Sequence, residues 1–126
     1  MVIRTKKNVL IVDDSPFIRE MVGKIIERLG HLVSKAGDGV EGIAIASNQE
    51  IDVIILDVQM PNKDGLQTLK ELRADPRHAQ TPIIMLTSVG DGDIVKRSIL
   101  GKATHYLLKD DPMEIMKRLK EVFATL

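Results

Sequence analysis

Two short apolar runs in this chain end in carboxylates. Val9-Leu10-Ile11-Val12 is followed by Asp13-Asp14, and Val53-Ile54-Ile55-Leu56 by Asp57. A buried parallel strand that stops at an aspartate delivers the carboxylate to the carboxyl edge of its sheet, where ligands bind in open α/β folds. Three acids converging there repel one another unless a cation sits between them. The pattern points to a divalent-cation site with one carboxylate able to react. Two further runs add complementary groups. Ile83-Ile84-Met85-Leu86 leads to Thr87, a hydroxyl donor, and Tyr106-Leu107-Leu108 leads to Lys109, an ammonium. Taken singly, each has an ordinary explanation as a helix cap, a strand end or a surface charge. Caps require neither a common edge nor complementary charge, so the residues taken together argue for a site. Mg²⁺ prefers one or two carboxylates together with phosphate oxygens and keeps some of its waters. Asp13 and Asp14 suit that role. One oxygen of Asp57 can join them while the other attacks phosphorus, and Lys109 and Thr87 can meet the charge of a phosphoryl group. Phosphoryl transfer asks a protein mainly for positioning and electrostatics.

The elements that must position these residues are legible as alternating short apolar runs and helix-period segments. The first strand is expected over about Asn8 to Val12. Ser15 can cap the following helix, with Pro16 in its first turn and Ile18, Val22, Ile25 and Leu29 along its inner stripe. Gly30 fits a left-handed stop. Leu32 to Ala36 is more polar, as expected of an edge strand. Asp38 and Glu41 read as a capping-box-like pair opening a helix with Val40, Ile43, Ala44 and Ser47 on one face. After the strand Val53 to Leu56 comes a helix from about Gly65 to Ala74, carrying Leu66, Leu69 and Leu72. A helix from about Asp93 to Leu100 is expected after the fourth strand. Asp111, Pro112 and Glu114 open a last helix with Ile115, Leu119 and Val122 inward, beside Met116 and Phe123. Strand runs that are apolar at every position mean strands covered on both faces. The fold class is therefore α/β: a doubly wound, five-stranded parallel sheet with five helices on both faces. Order 2-1-3-4-5 is one common solution, the flavodoxin-like one.

The 126 residues suffice for one domain with one hydrophobic core, and 44% hydrophobic with 29% charged residues is an ordinary globular composition. Formal net charge is zero and there are two Phe, one Tyr and no Trp, which disfavours nucleic-acid binding by charge or by base stacking. There is no cysteine, which excludes disulfides and thiolate metal sites. No apolar run approaches membrane-spanning or signal-peptide length, so the expected compartment is the cytoplasm. His31, His78 and His105 lack paired ligand spacing and read as surface or structural residues.

Asp13-Asp14, Asp57 with Met60-Pro61 and Asp64-Gly65, Thr87, and Tyr106 with Lys109 three residues later together resemble the receiver domain of bacterial two-component response regulators. The resemblance runs from Val9 to Phe123 and is to the single-domain, chemotaxis-regulator type. It implies an N-terminal extension over residues 1–7 and a receiver domain over residues 8–126. It also implies a signalling phosphoacceptor rather than an enzyme, with only self-catalysed phosphorylation and slow autodephosphorylation. Asp57 would take a phosphoryl group from a sensor histidine kinase or phosphotransfer protein. Asp13, Asp14, Asp57 and the backbone carbonyl of Gln59 would hold Mg²⁺, and Lys109 would pair with the phosphoryl group. Thr87 would move toward that group and Tyr106 would turn inward behind it. The face built from the fourth helix, the last strand and the fifth helix would then change its affinity for a downstream protein, with no direct nucleic-acid contact and no membrane insertion. One departure stands out. The family usually has proline after the lysine, often with a cis peptide, whereas Asp110 follows Lys109 here, so a trans bond is expected. Asp110 and Asp111 also stand close enough in sequence to compete for the Lys109 ammonium.

Three other functions fit less of the pattern. A phosphatase of the haloacid-dehalogenase type needs an acid two residues after the nucleophile, and Gln59 is no acid. A receiver-like module that works without phosphorylation has no use for the complete set Asp13, Asp14, Asp57, Thr87 and Lys109. A flavodoxin-like cofactor protein lacks a phosphate-binding loop after the first strand and aromatics to sandwich a flavin.

Overall fold

The computed structural model describes residues 6–60, 62–88, 96–97, 101–109 and 111–126. Strands β1 (Asn8–Val12), β2 (Leu32–Ala36), β3 (Val53–Asp57), β4 (Ile83–Thr87) and β5 (His105–Leu108) form one parallel sheet in the order β2-β1-β3-β4-β5. Four α-helices are present among the described residues: α1 (Pro16–Arg28), α2 (Gly39–Asn48), α3 (Gly65–Ala74) and the C-terminal α4 (Pro112–Ala124). A 3-10 turn, Pro76–His78, follows α3. Five helices were expected. The one between about Asp93 and Leu100 lies outside the described residues except for Lys96 and Arg97, which are helical.

Alternate strand residues face opposite sides of the sheet, and each side is a separate apolar layer. Val9, Ile11, Val53, Ile55, Ile84, Leu86 and Leu107 pack against α1 and α4 through Val22, Ile26, Ile115 and Leu119. Leu10, Val12, Ile54, Leu56, Ile83 and Met85 pack against α2 and α3 through Ala46, Leu69 and Leu72, with half-buried Tyr106 against the same layer. The three central strands are buried at nearly every position, while β2 and β5 are partly open edges.

The caps form as the sequence predicts. Ser15 Oγ accepts from the Ile18 N–H (3.3 Å) and Asp111 Oδ1 from the Met113 N–H (3.0 Å). Asp38 Oδ1 accepts from the Glu41 N–H (2.8 Å), while Glu41 reaches back to the Gly37 N–H (3.1 Å), one residue before the cap. Gly30 ends α1 with φ 94°, a left-handed conformation that glycine adopts without penalty.

The buried face of α2 is not the one that carries Val40, Ala44 and Ser47. Val40, Ala44 and Ser47 are exposed, and the buried residues are Gly39, Gly42 and Ala46, with Ile43 and Ile45 half-buried. The helix is apolar nearly all round, so hydrophobic period does not select a face. Close approach does, because a Cβ at Gly42 would stand 2.9 Å from Val12 Cγ2. No helix among the described residues is long and apolar enough to cross a membrane.

Candidate functional site

β1 brings Asp13 and Asp14 to the carboxyl edge of the sheet, and the neighbouring β3 brings Asp57, its last residue. Asp13 is held at both backbone ends and through its side chain. Its N–H donates to the Ala36 carbonyl (3.0 Å), its carbonyl accepts from Arg19 Nη1 (2.7 Å), and its Oδ1 accepts from the Ser15 N–H (2.9 Å). Asp13 and Asp57 are buried while Asp14 is exposed, and one carboxylate oxygen from each lies within 4.8 Å of the others. Asp57 is set by glycine. The Gly65 N–H donates to the Val58 carbonyl (2.7 Å), and a Cβ at Gly65 would overlap the carbonyl of Asp57. The start of α3 thus lies directly on the backbone of Asp57. Asp64 caps α3, accepting from the Gln67 N–H (2.8 Å), a role the sequence reading did not assign.

The cation between the acids in this structure is a side chain. Lys109 Nζ lies 2.6 Å from Asp13 Oδ2 and 2.9 Å from Asp57 Oδ1, and only 10% of its side chain is exposed. From the sequence, Lys109 is expected to meet a phosphoryl group. Here it bridges both buried carboxylates. Burial alone would lower the Lys109 pKa, but its contacts with Asp13 and Asp57 outweigh this and raise it. For Asp57 the balance runs the other way. Burial pushes its carboxyl up to about 6, Asp13 and Asp14 push in the same direction, and Lys109 offsets only part of the rise. At neutral pH the site therefore holds a carboxylate with a strong electrostatic demand for another cation.

Asp13 Oδ2 is buried against the Lys109 ammonium at 2.6 Å, a charged partner of the kind a buried carboxylate oxygen requires. An all-oxygen set of three carboxylates, one of them open to solvent, suits a hard divalent cation such as Mg²⁺.

Thr87 is buried at the end of β4, and its carbonyl accepts from the Lys109 N–H (2.7 Å), which ties the ends of β4 and β5 together. Tyr106 is half-buried on β5, in register with Met85. Gln59 is exposed two residues after Asp57. Asp111 is engaged as the α4 cap, while Asp110, and with it the Lys109–Asp110 bond, lies outside the described residues. Of the histidines, His78 is buried and structural, its ring nitrogens 3.0 Å from Thr81 Oγ1 and 2.9 Å from the Ala46 carbonyl. His31 accepts from the Lys7 N–H (3.1 Å) and lies against Phe123.

Comparison with known proteins places this geometry. Residues 9–120 match the response regulator receiver domain family. A chemotaxis protein CheY homolog of Campylobacter jejuni is 33% identical over 119 residues, covering 92% of this chain and 92% of that protein. A gliding motility regulatory protein of Myxococcus xanthus is 38% identical over 103 residues, which is 82% of this chain but 13% of that protein. Among solved structures, chemotaxis response regulator CheY4 of Vibrio cholerae superposes with a TM-score of 0.86 at 37% identity, covering 94% of this chain and 99% of that one. The chain spans about half or less of the first curated relatives it matches, some of them named as transcriptional regulators. A family match over nearly nine-tenths of the sequence, on a sheet of this order, identifies the chain as a member of the receiver domains of two-component response regulators.

Proposed function

We propose that this chain is a phosphorylation-dependent signalling switch whose phosphoacceptor is Asp57. The observation that carries the reading is the buried Asp13–Lys109–Asp57 cluster with Asp14 beside it at the sheet edge. Residues 8–126 act as one receiver unit, preceded by an extension over residues 1–7. The donor is a phosphohistidine of a sensor kinase or phosphotransfer protein, and the compartment is the cytoplasm, where such kinases draw on ATP.

The reaction divides among residues already in place. One Asp57 carboxylate oxygen attacks phosphorus. As that O–P bond forms, the P–N bond to the donor imidazole breaks, and its electron pair leaves with the nitrogen, which then takes a proton. Asp13, Asp14, an Asp57 oxygen and the Gln59 carbonyl would hold Mg²⁺. Bound there, the ion supplies neutralising charge to the phosphoryl oxygens. Lys109 exchanges its contact with Asp57 for one with the phosphoryl group, keeping a buried ammonium paired throughout. The Thr87 hydroxyl donates to a phosphoryl oxygen. Because the Lys109 N–H is bonded to the Thr87 carbonyl, movement at the end of β4 is passed to β5. Tyr106 turns inward, and the face built from the helix expected over residues 93–100, β5 and α4 changes its affinity for a downstream protein. This is a two-state element biased by a local charge, and a near-complete switch requires about 5 kcal/mol of bias. Its catalysis is confined to its own phosphorylation and slow dephosphorylation, and it makes no direct contact with nucleic acid or membrane.

The test is intact-protein mass after incubation with Mg²⁺ and acetyl phosphate. Wild type should gain one phosphoryl group, and neither Asp57→Asn nor a Mg²⁺-free sample should gain any. Phosphorylation of Asp57→Asn at the wild-type level would refute the assignment of the acceptor.

A further inference from the structure

We infer that Asp38, at the cap of α2, is a positioning residue for the Mg²⁺ site: by latching Asn62 it fixes the segment after β3 relative to the segment after β1. The inference rests on the reading of the acidic cluster given above and deepens it.

The two oxygens of Asp38 do different work. Oδ1 accepts from the Glu41 N–H at 2.8 Å and caps α2. Oδ2 accepts from Asn62 Nδ2, also at 2.8 Å, across 24 residues of sequence. Capping needs one acceptor, which Ser or Thr supplies about as well. The second oxygen is surplus to the cap and serves the link. Asn62 has φ 68°, a left-handed conformation that Asn tolerates better than most residues. Its side chain is therefore offered from a turn that places it toward α2.

The same part of α2 touches both segments that carry expected metal ligands. A Cβ at Gly39 would stand 2.8 Å from the Lys63 carbonyl, so the backbone after Asn62 lies against the first turn of the helix. Gly42, one turn on, is closed against Val12, the residue before Asp13. Strand β2, which leads into α2, takes the Asp13 N–H on the Ala36 carbonyl at 3.0 Å. On the other side, the segment after β3 is pinned where it leaves the strand and where it enters α3. The Val58 N–H donates to the Leu86 carbonyl (3.3 Å) and the Gly65 N–H to the Val58 carbonyl (2.7 Å). Between those points lies Gln59. Lys63 pairs with Glu71, which ties the loop only to its own helix. The Asp38–Asn62 bond ties it to α2, and through α2 to the Asp13 side of the site. A cation held jointly by the two segments is bound best when their separation is set in advance, and groups that orient ligands from outside the coordination shell tune affinity for that reason.

Two variants remove the latch and spare the rest. Asp38→Ser keeps an acceptor for the Glu41 N–H but has no second oxygen for Asn62. Asn62→Gly keeps the left-handed turn and loses the amide. Mg²⁺ binding would be measured by calorimetry for wild type, each single variant, the double variant and Asp57→Asn. Far-UV circular dichroism would check folding, and Asn62→Gly alone decides the matter if Asp38→Ser does not fold. Each single variant should raise the Mg²⁺ dissociation constant roughly three- to tenfold, and the double variant no further than the larger single effect. At saturating Mg²⁺, phosphorylation by acetyl phosphate should run within about twofold of wild type, because the latch sets affinity and not the chemical step. Unchanged dissociation constants, multiplied effects in the double variant, or a rate deficit that saturating Mg²⁺ does not restore would each overturn the inference. Absence of Mg²⁺ binding by wild type would instead overturn the reading of the acidic cluster, and the latch with it.

Discussion

Replacing Asp57 by Asn should stabilise the metal-free protein at neutral pH, by an amount that depends on pH in a defined way. Burial raises the Asp57 pKa from 3.8 to about 6. With its pKa raised in the folded state, the native protein binds more protons than the unfolded chain between those two values. Wild-type stability therefore falls as pH rises through that window and is flat, for this group, above it. The rise from 3.8 to about 6 corresponds to about 3 kcal/mol. Asn carries no charge and escapes this loss, while Lys109 keeps Asp13 as a partner. The stability advantage of Asp57→Asn over wild type should grow by about 3 kcal/mol between pH 3.8 and pH 7, equivalent to about 10 °C in melting temperature for a domain of this size. Urea denaturation followed by circular dichroism, in EDTA at several pH values, measures the difference directly. Carboxylates away from this cluster titrate alike in both proteins and cancel. Mg²⁺ at about 100 times its dissociation constant should stabilise wild type by about 2.7 kcal/mol and close most of the gap at pH 7. A pH-independent difference, or a mutant less stable than wild type at pH 7 in EDTA, would refute the claim that burial dominates the energetics of this carboxylate.

Lys109→Met should behave in the opposite sense. It leaves two buried carboxylates without their shared ammonium, so it should destabilise the metal-free protein by about 3 kcal/mol or more at pH 7 and by less near pH 4, as read by the same titration. Gly65→Ala should cost about 2–4 kcal/mol, because the new methyl overlaps the Asp57 carbonyl. It should also slow phosphorylation by acetyl phosphate, whereas Gly30→Ala, a strained substitution far from the acids, should lower stability and leave the phosphorylation rate of the folded protein unchanged.

The parts of this molecule legible from sequence are those decided by local pattern. Strand limits at Asn8–Val12 and Leu32–Ala36 coincide with expectation, as do the caps at Ser15, Asp38 and Asp111. Burial on both faces leaves an unbroken apolar run, and a cap needs a particular residue at a particular place. The convergence of Asp13, Asp14, Asp57 and Lys109 was readable because a parallel sheet sends all strand ends to one edge. The α2 face was not readable. Its burial is set by glycines that permit close contact with Val12 and Lys63, and small residues leave no mark in a hydrophobic period. The pairing of Lys109 with Asp13, and of Asn62 with Asp38, are contacts between distant segments whose partners lie 96 and 24 positions away; the sequence places Lys109 at the same edge as the acids without naming Asp13 as its partner, and nothing local suggests the second pair.

Tyr106 carries a consequence of another kind. It is the sole tyrosine in a chain without tryptophan, and it lies half-buried on β5 against the α2–α3 layer. The near-ultraviolet emission of the whole protein therefore arises almost entirely from one ring at one location. The molecule carries its own single-site optical reporter: quenching, anisotropy and lifetime of that emission follow the environment of Tyr106 without a label, and neither global unfolding probes nor an introduced fluorophore is needed to follow it.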